Sequence, residues 1–192
     1  MTRAFSFEKT LFEGVFLIKP FVSDDERGYF VKDYSKELFA DNGITHDLQE
    51  VFYTSSYKGV IRAIHFQREK EQAKLVRCVK GSVFDVVVDL RPESRTLGRW
   101  EGFYLNEENK NEVLIPAHFG HGYLVLEDSI VSYKCAERFY GEFDDGIKWD
   151  DPDINVQWPL ERVGALILSE KDKNLQTFAE WKTKRLEGVD GV

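Results

Sequence analysis

The sequence is short of basic residues and has no long hydrophobic run. Its 26 lysines and arginines stand against 34 aspartates and glutamates, which gives a formal net charge of −8 at pH 7. An acidic surface repels phosphate backbones, so we expect no nucleic-acid partner. No apolar stretch approaches the ~20 residues of a membrane helix, and residues 1–20 lack the apolar core of a signal peptide. We therefore expect a cytoplasmic protein without a membrane partner.

Cysteine is also scarce, with only Cys78 and Cys135 in the chain. Both lie in stretches that are predicted to be strands. Free cysteine is among the most buried residue types, and disulfides are rare in a reducing compartment. We therefore predict two buried free thiols rather than a disulfide.

Aromatic residues, in contrast, are abundant: the chain has 15 phenylalanines and 8 tyrosines. Short runs of β-branched and aromatic residues recur between Val51 and Leu126, with turn residues between them and no helical period. This spacing is typical of an antiparallel sandwich or barrel. We predict a hairpin formed by Lys74–Val79 and Ser82–Leu90, with Lys80 and Gly81 at its turn. Gly122–Leu126 and Ile130–Ala136 are predicted as two further strands.

Helical signals are few. Ser35–Asn42, followed by Gly43, has the serine and glycine that flank a short helix, and Leu175–Glu187 has a helical composition. Phe143–Pro159 is predicted to be a long loop, and loops of that length often have a function. At this length we expect one domain, spanning residues 1–192.

Two predicted strands carry polar side chains that could transfer protons. His65 lies within Val60–Gln67, and Tyr133 lies within Ile130–Cys135. Each could be an ordinary core residue with a hydrogen-bond partner. Together, however, an imidazole base and a phenol acid are what proton transfer in a pocket requires. Strict alternation would place Arg62 and His65 on opposite faces, so both can face one pocket only if a bulge or a strand end intervenes.

Three carboxylates, those of Asp85, Asp89 and Asp172, could orient an imidazole. The charged neighbours of Asp172 also allow a solvated turn at that position. His118 and His121 suggest a third possibility, a metal site shared with His65. Metal-binding β-barrels tend to have two histidines one residue apart. Gln67 takes the second position here, and an amide is a poor ligand for a transition metal, so we predict no bound metal.

Several blocks of this sequence resemble the dTDP-4-dehydrorhamnose 3,5-epimerase family. The likeness extends from about residue 7 to about residue 178, in the family's order and near its spacing. The blocks are Arg62-Ala63-Ile64-His65-Phe66-Gln67, Lys74-Leu75-Val76-Arg77, Val83-Phe84-Asp85-Val86, Val88-Asp89-Leu90-Arg91, Ile115-Pro116, His121-Gly122, Tyr133-Lys134-Cys135, Trp149-Asp150-Asp151-Pro152 and Trp158-Pro159.

The resemblance implies an all-β fold, an antiparallel jelly-roll barrel of the cupin type with a few short peripheral helices. The barrel core would span about residues 45–140, and residues 160–192 would pack on it. It also implies a homodimer without a cofactor, which epimerises a nucleotide-diphosphate sugar at carbons that flank a 4-keto group. The expected end use is rhamnose-type deoxysugar biosynthesis.

The resemblance also assigns roles to individual residues. His65 matches the catalytic base, Asp172 the carboxylate that orients it, Tyr133 the acid on the opposite face of the sugar, and Lys74 the cation beside the enolate oxygen. The remaining ligand contacts that it implies are Arg27, Arg62, His121, Phe139, Asp144 and Lys171.

The chain departs from the family pattern at several positions. Lys32 stands where the family usually has glutamate, and Glu50-Val51-Phe52 stands where it has Gln-Asp-Asn. The proton-transfer residues are intact, whereas part of the ligand-contacting set has changed. A mono-epimerase or ketoisomerase acting on a sugar of another nucleotide therefore stays open as an alternative, as does, with less support, a metal-dependent cupin.

Overall fold

The computed structural model describes residues 2–186 and shows a mainly β structure. Its strands are β1 (Thr2–Arg3), β2 (Ser6–Lys9), β3 (Phe16–Lys19), β4 (Phe21–Asp25), β5 (Gly28–Lys32), β6 (Glu50–Ser56), β7 (Ile61–Gln67), β8 (Lys74–Asp89), β9 (Trp100–Asn106), β10 (Glu112–Ile115), β11 (Phe119–Cys135) and β12 (Asp144–Gly146). The α-helices are α1 (Lys36–Asp41), α2 (Glu170–Lys173) and α3 (Phe178–Leu186), and a short 3-10 helix spans Leu160–Arg162.

Two long strands, β8 and β11, pair antiparallel through the centre of the molecule. The first part of β11 pairs with β7 and its second part with β6. Strand β8 likewise pairs with β10 in its first part and with β9 in its second. Each long strand therefore contributes to two sheets that face each other, which is the jelly-roll arrangement. The cupin-like all-β fold is confirmed.

The predicted hairpin at Lys80-Gly81 is wrong, because β8 runs without interruption through both residues. Gly81 has φ +75°, so it bends the strand from one sheet into the other instead of reversing it. The two predicted strands Gly122–Leu126 and Ile130–Ala136 are also parts of one strand, β11. Its pairing with β8 shifts register at Glu127 and Ile130, opposite the bend, and such bulges let a strand turn a corner.

Alternating residues of these strands face the barrel interior or the outer surfaces. Val76, Val83 and Val87 belong to the interior cluster between the two sheets. Two outer clusters complete the core. One lies under the C-terminal segment, where Trp181 is buried, and the other lies under α1, where Phe39 is buried. The predicted helix at Ser35–Asn42 is present as α1, and Cys78 and Cys135 are buried free thiols, as predicted.

The C-terminal segment packs against the outside of the barrel through α3 and the stretch before it. The predicted helix over Leu175–Glu187 is present as α3, although Glu187 lies outside the described residues. Strand β12 interrupts the predicted loop Phe143–Pro159 by pairing with the end of β7. Within residues 2–186, no helix is both long and apolar enough to cross a membrane.

Candidate active site

An open cavity of about 630 Å³ lies at one end of the barrel interior. This volume is in the range of pockets that enclose a small organic ligand. Three cationic side chains, three carboxylates, two imidazoles and four aromatic rings contribute to its wall. They are Arg62, Lys74, Lys171, Glu50, Asp144, Asp172, His65, His121, Phe52, Phe66, Tyr133 and Phe139.

Strand alternation explains three of these side chains. Lys74 is on the same face of β8 as Val76 and Cys78, both of which lie in the interior cluster. On β11, His121 and Tyr133 likewise share the inward face with neighbours of that cluster. The sequence places polar groups at inward positions near the mouth of the barrel, where apolar residues would otherwise complete the core.

A bulge in β7 brings Arg62 and His65 to the same cavity. His65 is opposite His121 and Arg62 is opposite Tyr123, so three steps along β7 match two steps along β11. The extra residue breaks the alternation that would have put the two side chains on opposite faces. Both line the cavity, so the predicted bulge is present.

The His65 imidazole is in contact with Asp172. Its Nε2 lies 2.7 Å from Asp172 Oδ1, and its Nδ1 lies 4.0 Å from Asp144 Oδ1. Asp172 is only 5% exposed, which rules out the solvated turn. Ser169 precedes α2 and fixes the carboxylate, because its hydroxyl donates to Asp172 Oδ2 at 2.7 Å and accepts from the Asp172 N–H. Burial alone would raise the pKa of Asp172, but the His65 imidazole and the Ser169 hydroxyl keep it below its usual value.

Tyr133 is held among aromatic rings and is 7% exposed. The Phe52 ring stacks on it, with centroids 4.8 Å apart and planes 15° apart. The His121 ring meets it edge-on at 5.8 Å. Burial, followed by the nearby Tyr123 and Asp85 side chains, raises the pKa of Tyr133 well above 10. The phenol is therefore protonated at neutral pH and can act as an acid.

Two further ionisable groups belong to this region: Lys74 lines the cavity, and the buried Asp85 contacts His121, which also lines it. Asp85 Oδ2 is 2.8 Å from His121 Nε2, so this second carboxylate orients the second imidazole. Burial nevertheless raises the pKa of Asp85, against the effect of His121. Burial also lowers the pKa of the Lys74 ammonium. Asp89, the third candidate carboxylate, binds Arg91, Ser94 and Thr96 and contacts no imidazole in the described structure.

An ion pair and several hydrogen bonds connect the segments that form the rim of the cavity. Lys171 forms an ion pair with Asp144 and also donates to its backbone carbonyl oxygen at 3.2 Å. Glu50 accepts a hydrogen bond from the backbone N–H of Phe139 at 3.0 Å. Gln67, which takes the position of the second histidine of a metal-binding barrel, accepts a hydrogen bond from the Tyr140 N–H at 2.7 Å. These bonds hold the Phe139 ring at the cavity mouth.

Arg27 and His118 lie away from the cavity. The Arg27 side chain is 83% exposed at the turn between β4 and β5, where it pairs with Asp25. His118 lines a separate crevice and contacts Glu71 at 2.5 Å. The three histidines of the metal hypothesis therefore do not meet. Over residues 2–186, no three His, Cys, Asp or Glu side chains are placed to hold a metal ion.

Thr54 and Gln72 also line the cavity and were not predicted. Thr54 follows Glu50 and Phe52 at every second position of β6, so alternation along that strand is the signal that could have identified it. Gln72 donates to the carbonyl oxygen of Glu137 at 2.8 Å and supports the same rim loop. Of the departures from the family pattern, Glu50, Val51 and Phe52 line the cavity, whereas Lys32 lies over the Phe21 ring.

A jelly-roll barrel whose cavity holds an imidazole–carboxylate pair, a neutral phenol and a partly buried ammonium defines a class of protein, the cupin-like acid–base enzymes. Residues 9–180 match the family model of dTDP-4-dehydrorhamnose 3,5-epimerase. The chain belongs to this family, and it is an epimerase of the isomerase class.

Individual relatives agree with this assignment. The curated dTDP-4-dehydrorhamnose 3,5-epimerase of Methanothermobacter thermautotrophicus is 49% identical over 177 residues, which cover 92% of this chain and 96% of the relative. A Legionella pneumophila dTDP-6-deoxy-D-glucose-3,5-epimerase, solved with dTDP-4-keto-L-rhamnose, has a TM-score of 0.87 at 34% identity, covering 91% and 93% of the two chains. A 3'-monoepimerase from Streptomyces bikiniensis, solved with dTDP-quinovose, has a TM-score of 0.83 at 31% identity, covering 93% and 89%.

Proposed function

We propose that this protein epimerises a dTDP-linked 4-keto-6-deoxyhexose at C3 and C5 without a cofactor. The observation that carries the proposal is the placement of the His65–Asp172 pair and the neutral Tyr133 phenol in the wall of one cavity. The dTDP-sugar ligand of the Legionella pneumophila structure supports the substrate class. The product would enter deoxysugar biosynthesis of the rhamnose type.

The chemistry follows from the 4-keto group, which acidifies the protons on the neighbouring carbons. His65 removes such a proton, and Asp172 stabilises the imidazolium that forms. Negative charge develops on the keto oxygen, where the Lys74 ammonium stabilises it. Tyr133 then gives its proton to the carbon from the other side, which inverts the centre. Positioned acid–base groups of this kind are worth ~10²–10⁴-fold in rate.

The remaining polar side chains would bind the nucleotide diphosphate. Arg62 and Lys171 offer cations at the cavity wall, and Arg forms paired hydrogen bonds with phosphate oxygens. His121 and Asp144 would contact the sugar, and the Phe139 ring at the mouth would stack on the ligand. The two buried free thiols favour a reducing compartment, which supports a cytoplasmic location.

We also propose a homodimer, because Arg27 lies on an exposed hairpin and does not line the cavity of its own chain. Beside it, Tyr29 and Phe30 are 57% and 59% exposed. If Arg27 contacts the ligand, as the family resemblance implies, the hairpin must reach the cavity of a second copy. Exposed aromatic rings next to such an arginine are typical of an interface.

Isotope exchange in D₂O tests the proposed function. Incubation with dTDP-4-keto-6-deoxyglucose should place deuterium at C3 and at C5, detected by NMR or mass spectrometry. His65→Ala should abolish exchange at both carbons while the circular dichroism spectrum stays unchanged. If deuterium enters neither carbon for any nucleotide form of the sugar, the proposed function is wrong.

A second candidate function is mono-epimerisation or ketoisomerisation of a sugar carried by another nucleotide. It is favoured by Glu50 and Phe52, which place a carboxylate and an apolar ring in the cavity wall where the family usually has amides. The structural likeness to a 3'-monoepimerase points the same way. The two candidates differ in the number of carbons that take up deuterium, and in which nucleotide supports the exchange.

A further inference from the structure

The Phe52 ring lies against the Tyr133 phenol in the cavity wall. The two residues are opposite each other in the antiparallel pair of β6 and β11, so their side chains emerge side by side. Their rings are stacked, with centroids 4.8 Å apart and planes 15° apart. The His121 ring also contacts the phenol, at a centroid distance of 5.8 Å and an interplanar angle of 79°. Two rings therefore limit the directions in which the phenol can turn.

Phe52 is held in place by the core and presents a flat face to the phenol. It is half-buried and packs against the interior cluster to which Tyr133 belongs. A turn of the phenol would break the stack, and an aromatic pair is worth roughly two- to tenfold in an equilibrium beyond the area that it buries. The asparagine that the family usually has at this position offers no such face. The stack therefore follows from one of this chain's departures from the family pattern.

The restriction affects a reaction at two carbons, a consequence that rests on the proposed function. C3 and C5 flank the keto carbon on opposite sides of it. In one pose of the sugar, a fixed phenol has only one of them within the hydrogen-bond reach that proton transfer requires. Inversion of the other carbon needs a phenol that moves or a sugar that turns in the cavity. Misplacement by about 1 Å can slow a reaction ~10²-fold, so a fixed phenol separates the two rates.

We propose that Phe52 is a positioning residue that holds Tyr133 on one of the two carbons and makes the two inversions unequal. At the favoured carbon, His65 removes a proton from one face and Tyr133 supplies one from the other, which inverts the centre. The imidazolium then loses a proton to water, and the phenolate gains one. At the other carbon, the imidazolium exchanges its proton with water and returns one to the same face, so hydrogen is exchanged without inversion. The singly inverted sugar therefore accumulates first, as in mono-epimerisation.

The test measures deuterium uptake and inversion at each carbon separately. The enzyme is incubated with dTDP-4-keto-6-deoxyglucose in D₂O, and NMR of early samples gives both rates at C3 and at C5. We expect the wild-type inversion rates to differ by at least ~10-fold, with deuterium in unchanged configuration at the slower carbon. Phe52→Asn and Phe52→Leu remove the flat face, and each should narrow the ratio of inversion rates roughly two- to tenfold.

Two control variants separate positioning from packing. Phe52→Tyr keeps the stacked ring and should keep the wild-type ratio of inversion rates. Tyr53→Leu removes a ring that is 72% exposed on the other face of the same strand, and it should keep that ratio too. Both rates are measured within one sample, so partial unfolding of a variant lowers them equally and leaves their ratio unchanged.

The positioning role of Phe52 is overturned if the wild-type enzyme inverts C3 and C5 at equal rates, or if Phe52→Asn and Phe52→Leu keep the wild-type ratio. The wild-type measurement needs no variant, so it decides even where a variant does not fold. Deuterium at neither carbon in the wild-type reaction would overturn the proposed function instead, and the role of Phe52 with it.

Discussion

At the scale of single residues, burial acts on two neighbouring groups of the cavity in opposite directions. It lowers the pKa of the Lys74 ammonium and raises the pKa of the Tyr133 phenol. In both cases the neutral form is favoured, because the charged form loses its hydration. The phenol is thereby kept as a proton donor, while the ammonium is made more sensitive to alkali. Burial therefore makes Lys74 easier to deprotonate and Tyr133 harder to deprotonate.

The lowered pKa of Lys74 predicts the alkaline limit of the enzyme. The ammonium is charged only below its pKa, and that pKa is shifted below 10.5, so kcat should begin to fall below pH 10.5 as Lys74 becomes neutral. In Lys74→Arg, the guanidinium stays charged, and the fall should move to higher pH even if the maximal rate is reduced. Lys80→Arg, at an exposed position of the same strand, is the control. An unchanged alkaline limit in Lys74→Arg would show that another group titrates there.

The contact between His65 and Asp172 predicts the effect of removing one charge. Asp172→Asn keeps the shape but cannot stabilise an imidazolium, so kcat should fall by at least ~100-fold, with a smaller change in KM. Asp89→Asn is the matched control, because Asp89 is also buried and charge-paired but binds Arg91 outside the cavity. It should cost about 1–3 kcal/mol of stability and leave kcat unchanged. Steady-state kinetics and urea unfolding of both variants check this, and equal losses of kcat would contradict it.

Residue types and the family resemblance were enough to predict nine side chains of the cavity, which are Arg62, His65, Lys74, His121, Tyr133, Phe139, Asp144, Lys171 and Asp172. Thr54, which also lines the cavity, was missed because a threonine in a predicted strand is ordinary. Its alternation with Glu50 and Phe52 along β6 is what distinguishes it. Arg27 was predicted as a ligand contact but does not line the cavity of its own chain. Its match to a ligand position of the family does not say whether the cavity belongs to the same chain or to another copy.

At the scale of secondary structure, the sequence did not reveal that β8 and β11 are each one continuous strand. Glycine after lysine between two apolar runs is a turn signal, and it predicted a hairpin at Gly81. The structure uses the same positive φ to bend one strand between two sheets. A hairpin and a bend need the same local conformation, so the choice is made by distant pairing with β11 and not by the local sequence.

The bend predicts that Gly81 does not tolerate a side chain. A Cβ at this position would overlap with the carbonyl oxygen of Asp128 and approach Ser129 Oγ within 2.6 Å. Gly81→Ala should therefore lower the free energy of unfolding by more than the ~1–2 kcal/mol that a left-handed conformation alone costs. Gly43→Ala, at φ +79° with open space around it, should show only that conformational cost, and Gly164→Ala almost none. Urea denaturation measures all three, and equal losses for Gly81 and Gly43 would contradict the steric argument.

At the scale of the whole molecule, the main question is how an acidic protein binds a diphosphate. The formal net charge is −8, and the cavity of one chain contains as many carboxylates as arginines and lysines. One of its three cations, Lys171, is already paired with Asp144. A second copy that contributes Arg27 would add a fourth cationic side chain to the cavity. Shared sites of this kind make binding depend on assembly, because neither chain has the full set of cations alone.

Mixing two defective chains tests whether the site is shared. Arg27→Ala should weaken substrate binding and His65→Ala should abolish proton transfer, so each homodimer is impaired when assayed well below the KM. If Arg27 serves the partner's cavity, a mixed dimer has one cavity with both lesions and one with neither. Random association of equal amounts should then restore about a quarter of the wild-type activity. A mixture of His65→Ala and Asp172→Asn chains, whose lesions share one cavity, should restore none. Failure of the first mixture to recover activity, with mixed dimers verified by mass spectrometry, would place Arg27 outside the partner's cavity.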